Sequence, residues 1–74
     1  MSLKGLSVFL PAYNEEKNLE KTVNNVRQNI TSVADKWEII IVDDGSKDST
    51  GKIADHLAKS DWQIRVIHHN PNHG

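Results

Sequence analysis

Two adjacent carboxylates, Asp43 and Asp44, end an unbroken apolar run and are followed at once by Gly45 and Ser46. An ionised carboxylate only accepts hydrogen bonds, so a pair placed at the end of a buried segment suits a ligand rich in donors. A second polar cluster, Pro11-Ala12-Tyr13-Asn14-Glu15-Glu16, closes an earlier apolar run. His69 and His73 stand four apart, a spacing that would aim both at one ion if they lay on a helix. Pro71 lies between them and breaks such a helix, so a solvated turn is the simpler reading and no metal ligands are assigned. No Gly-x-Gly-x-x-Gly follows the first apolar run and no Gly-Lys-Ser or Gly-Lys-Thr occurs, which removes dinucleotide and phosphate-loop sites.

The elements that must position these groups follow from periodicity. Ile39, Ile40, Ile41 and Val42 are all β-branched and show no polar alternation, as expected of a strand covered on both faces of a parallel sheet. In open parallel sheets ligands gather beyond the carboxyl ends of the strands, where Asp43, Asp44 and Gly45 fall. Leu6, Val8, Phe9 and Leu10 make a first strand that Pro11 is expected to close, having no amide hydrogen for a ladder. Asn14 is the expected N-cap of a helix whose apolar face carries Leu19, Val23, Val26, Ile30 and Val33, with Asn18, Lys21, Asn25 and Gln28 facing water. After strand two, from about Trp37 to Val42, Ser46 or Asp48 can cap a shorter helix through Ile53, Ala54, Leu57 and Ala58, weakened by Gly51 near its start. Ile64, Val66 and Ile67 make a third strand, and Trp37 and Trp62, each entering a strand, are expected to pack.

The resulting β-α-β-α-β pattern predicts an α/β fold with a parallel sheet. Right-handed crossovers put both helices on one face if the strands step in one direction, and on opposite faces if the order reverses. In the first case the other face lies bare, and further chain or a second copy would cover it. With 74 residues the chain buries only about 60% of its unfolded surface. Nine Lys and Arg against ten Asp and Glu leave no basic patch for nucleic acid. The absence of cysteine excludes disulfides and thiolate metal sites, and with no secretory or spanning segment the expected setting is the cytoplasm. Met1-Ser2-Leu3 reads equally as native or as a cloning remnant, and Asn29-Ile30-Thr31, inside a helix, is not expected to be glycosylated.

Three pieces together carry a resemblance: Val8 to Glu16, then Glu38 to Ser46 with Asp48 and Thr50, then Val66-Ile67 leading to Asn72-His73-Gly74. They resemble the start of a family 2 glycosyltransferase of the dolichyl-phosphate and polyprenyl-phosphate kind, over nearly all of the chain after Gly5. The resemblance implies a GT-A fold, a Rossmann-like nucleotide-binding unit with strand order three, two, one at this end, so that residues 1–74 would be the N-terminal nucleotide-sugar-binding part of a longer domain. It implies that Pro11, Tyr13, Glu15, Val42 and Asp44 contact the nucleotide of a GDP- or UDP-sugar, Tyr13 beside the base and Asp44 reading a base or ribose donor, while Asp43 holds the loop. It also implies an Mg2+ or Mn2+ ion held by an Asp-x-Asp motif that this chain lacks, transfer of the sugar with inversion, possible membrane association of the parent, and little turnover by this chain alone.

Plainer roles stand beside these. Asp43 and Asp44 would serve as loop caps, Pro11 as strand terminator, Tyr13 as a half-buried aromatic, Glu15 as a helix-dipole complement and Val42 as core. A phosphoacceptor pair like that of response-regulator receivers fits poorly, since that fold places its acidic pair after the first strand. The alternative from another class is a non-catalytic α/β module that forms homo-oligomers through the bare sheet face and binds no nucleotide.

Overall fold

The computed structural model describes residues 5–69, which fold as β1 (Leu6–Ala12), α1 (Leu19–Ile30), β2 (Trp37–Asp44), α2 (Thr50–Ser60) and β3 (Ile64–His69). The Asn72-His73-Gly74 piece, the turn containing Pro71 and His73, and Met1-Ser2-Leu3 lie outside the described residues. The three strands are parallel in the order β1-β2-β3, with Leu10, Ile41 and Val66 abreast, and Pro11, Val42 and Ile67 abreast one step on. Stepping in one direction, the right-handed crossovers bring both helices to one face.

Strand alternation then sorts the side chains. The helix-covered face carries Leu10, Ala12, Ile39, Ile41, Ile64 and Val66, which pack with Leu19 and Val23 of α1 and Ala54 and Leu57 of α2 into one core. Ile39, Ile41 and Val23 are fully buried there. Among the described residues no helix lies on the opposite face. Its N-terminal part is polar, where Ser7 Oγ donates to Glu38 Oε2 at 2.6 Å and Arg65 Nη1 lies 3.4 Å from Glu38 Oε1. Its middle is apolar, with Phe9 62% and Ile67 50% exposed.

Several boundaries differ from expectation. Pro11 does not close β1 but sits within it, opposite Val42, because β1 has only one neighbour among the described strands and an edge strand tolerates proline. Asn14 is not a helix cap: it has φ 52°, in the left-handed region that asparagine tolerates, and α1 begins five residues later. Val33 lies beyond α1 and is 47% exposed, since the helix ends at Ile30 and turns through residues 31–33. Trp62 is 85% exposed and packs little, whereas Trp37 is half-buried against the core. β3 continues two residues past Ile67 to include His68 and His69, which pair in register with Asp43 and Asp44.

Gly51, which local propensity disfavours in the first turn of α2, has a tertiary reason. A Cβ there would stand 2.8 Å from Asp43 Oδ2 and 3.4 Å from His68 Cε1, so the glycine is the space in which these two side chains meet.

Candidate functional site

The two polar segments after β1 and β2 are laced together by side chains on each that accept from backbone amides of the other. Asn14 N–H donates to Ser46 Oγ at 3.0 Å, Glu15 N–H to Thr50 Oγ1 at 2.7 Å, and Glu16 N–H to Asp48 Oδ2 at 3.3 Å. In return Lys47 N–H donates to Asn14 Oδ1 at 2.8 Å. Thr50 is fully buried, and both its amide and its hydroxyl donate to Asp48 Oδ1, so Asp48 rather than Ser46 or Ser49 makes the capping contact at α2. Burial alone would push the Asp48 carboxyl up, but the hydrogen bonds from Thr50 and Glu16 outweigh it and hold the group below its usual range. Amides in the segment between β1 and α1 are thereby satisfied by side chains more than thirty positions away.

Asp43 and Asp44 diverge because successive strand residues face opposite ways. Asp43 points to the helix side and is only 6% exposed. Its Oδ1 accepts from Ser46 N–H at 3.1 Å and its Oδ2 lies 2.9 Å from His68 Nδ1. Both oxygens are therefore committed to holding the loop. His68 Nε2 lies 2.8 Å from Asp55 Oδ1 of α2, so one imidazole ties β2, α2 and β3 together. Asp44 points to the uncovered face, is exposed, and accepts from His69 Nδ1 at 2.8 Å.

This imidazole between two carboxylates makes stability depend on pH in a defined sense. Hydrogen bonding to Asp55, then to Asp43, raises the His68 pKa against the opposing effect of partial burial. Burial by itself would raise Asp43, but the bonds from Ser46 and His68 prevail and lower it. The His68 contribution is fully present below its unfolded value of about 6.5 and is lost as pH rises through the higher folded value. That of Asp43 is present above about 3.9 and is lost as pH falls through its lowered folded value. The His68 side chain is 48% exposed, so solvent screening keeps its share near that of an exposed pair, about 0.2–1 kcal/mol. Urea midpoints are therefore expected to fall between pH 5.5 and pH 8.5, and His68→Gln to shrink that fall; a variant with an unchanged fall would refute the assignment.

The residues singled out from sequence occupy one rim rather than a closed pocket. Pro11 and Glu15 line a hollow of about 180 Å3 with Leu10, Ala12, Leu19 and Thr22, below the roughly 300–1,000 Å3 usual for a ligand cavity. Val42 lies beside Pro11 on the uncovered face, and Tyr13, just past β1, is 53% exposed. Asp44 leans to β3, away from β1. A larger hollow of about 700 Å3 opens at the opposite end of the sheet, among Gly5, Trp37, Glu38 and Trp62, and does not reach the two motif loops. Neither hollow joins Asp44 to Tyr13.

Sequence reasoning missed the roles of Thr50, Ser46 and Asp48 as struts and of both histidines as partners of the acidic pair. The histidines carried a signal, since an apolar strand continued by two residues puts one on each face.

Residues 7–74 match the model of glycosyl transferase family 2. A glycosyltransferase of Haloferax volcanii, AglD, is 45% identical over 65 residues, covering 85% of this chain and 10% of that protein. The dolichyl-phosphate beta-glucosyltransferase ALG5A of Trichomonas vaginalis is 39% identical over 93% of this chain and 23% of its own length. An undecaprenyl-phosphate 4-deoxy-4-formamido-L-arabinose transferase of Salmonella choleraesuis is 33% identical over 97% of the chain and 22% of its own. The chain thus spans between a tenth and a quarter of the length of these relatives. A parallel three-stranded start with both helices on one face, two motif loops braced at its carboxyl end, and a match over nearly the whole chain agree, and the chain belongs to glycosyl transferase family 2.

Proposed function

We propose that this chain forms the nucleoside-binding part of a glycosyltransferase that takes a sugar from a nucleoside-diphosphate donor and passes it to a polyprenyl phosphate. The lacing of residues 14–16 to Ser46, Asp48 and Thr50 supports the reading, because it braces the segment after Tyr13 against the one that follows Asp44. There the tyrosine ring offers a face for a base and Asp44 an acceptor for ring N–H or ribose hydroxyl groups. Pro11 and Val42, abreast on the uncovered face, supply an apolar floor. The names of the dolichyl-phosphate and undecaprenyl-phosphate relatives support the acceptor class.

An Mg2+ or Mn2+ ion would stabilise the departing diphosphate in such a reaction. Among the described residues no three His, Cys, Asp or Glu side chains converge to hold an ion, so these residues do not fit it.

Calorimetric titration with UDP, GDP and their sugars tests the reading. Asp44→Ala is expected to weaken binding about 10- to 100-fold, the worth of a hydrogen bond to a charged group. Affinity indifferent to that change would defeat the assignment. The exposed Phe9 and Ile67 favour the second reading, a self-associating module that ignores nucleotides. Concentration-dependent sedimentation together with no binding of any of these ligands would establish it.

A further inference from the structure

We infer that His69 is a positioning residue for Asp44, holding one carboxylate oxygen so that the other is presented to the nucleoside; the inference rests on the nucleotide-binding reading above. Of the two acidic residues, Asp43 has no oxygen to offer, since Oδ1 serves Ser46 and Oδ2 serves His68. Among the described residues Asp44 is engaged at Oδ1 alone, by His69 Nδ1 at 2.8 Å. An ionised carboxylate can only accept, so Nδ1 carries the proton and the imidazole is the donor.

The arrangement follows from strand geometry. β3 runs far enough to place His68 opposite Asp43 and His69 opposite Asp44 in the parallel register. Alternation sends the first pair to the helix side and the second to the uncovered face, the face that carries Pro11, Val42 and Ile67. The same chemistry thus acts twice: once under α2 to fix a structural carboxylate, and once at the rim to orient a free one. An aspartate at the end of a strand would otherwise sample several rotamers, and fixing one before the ligand arrives removes that ordering from the binding step. The fixed acceptor selects for a donor on the ligand, such as a ring N–H or a ribose hydroxyl. Both side chains are more than half exposed, at 59% and 56%, and exposed pairs contribute little to stability, so removing His69 leaves the fold intact.

The test uses the 74-residue chain with UDP and GDP as probes. His69→Ala is expected to weaken the binding of whichever nucleotide the wild type takes by about 3- to 10-fold, with an unchanged melting temperature. His69→Asn, whose amide can donate from nearly the same place, is expected to restore affinity to within about twofold. Nitrogen NMR of the ring should show the Nδ1-protonated tautomer in the wild type and its loss in Asp44→Ala. Binding lowered by Asp44→Ala but untouched by His69→Ala overturns the inference and leaves the nucleotide reading standing. Binding untouched by Asp44→Ala, or no binding at all, overturns both. A His69 tautomer indifferent to Asp44→Ala overturns the inference alone.

Discussion

Ile41→Ala is expected to remove a large part of the chain's stability at 25 °C. Ile41 is fully buried on the central strand, between Leu10 and Val66 and beneath both helices, so its truncation opens a cavity that neither helix can close. Such a change costs about 2–5 kcal/mol. A chain of this length has roughly 4–11 kcal/mol of total stability, with small size favouring the lower end. The neighbouring isoleucine provides the internal comparison. Ile40 is only 7% exposed, but it faces the uncovered side between Phe9 and Arg65, where water fills the space left by deleted atoms. Ile40→Ala should therefore lose about 1–2 kcal/mol, the transfer contribution without a cavity. Urea denaturation followed by tryptophan fluorescence measures both. Equal losses at the two positions would mean that the second face is also covered in solution, and would turn attention to self-association.

Thr50→Val should destabilise the chain by about 1–3 kcal/mol although it preserves the shape of the side chain. The hydroxyl accepts from Glu15 N–H at 2.7 Å and donates to Asp48 Oδ1 in a fully buried place, so valine strands a donor on one side and removes one from the other. Thr50→Ser keeps the hydroxyl and loses only a methyl group, about 0.8 kcal/mol. The expected order, serine milder than valine, is the reverse of what packing alone would produce. The same strut holds the loop that carries Tyr13 and Glu15, so the valine variant should also bind UDP or GDP more weakly than the serine variant. Urea midpoints that rank valine above serine would show that Thr50 acts as filler.

What could be read along the chain was whatever repeats over short distances. The β-branched run from Ile39 to Val42 marked the central strand, and the spacing of Leu19, Val23, Val26 and Ile30 marked α1, because pleat and helix impose periods of two and 3.6 on a chain that must hide one side. The five elements and their order follow from these local signals. The acidic pair that ends the central strand was legible too, although the strand runs through it to Asp44 rather than stopping at Val42.

Only the folded chain decided what lies between distant residues. That β1 tolerates Pro11 goes with its having a single neighbour among the described strands. That Gly51 stands in a helix depends on Asp43 and His68 meeting there. Thr50, Ser46 and Asp48 look like ordinary capping residues until the amides of residues 14–16 arrive from more than thirty positions away. His68 and His69 read as a polar tail until the register assigns each a carboxylate. Periodicity tells a residue which way it faces, but a hydrogen-bond partner is specified by register and strand order, and these are set by how the whole core packs.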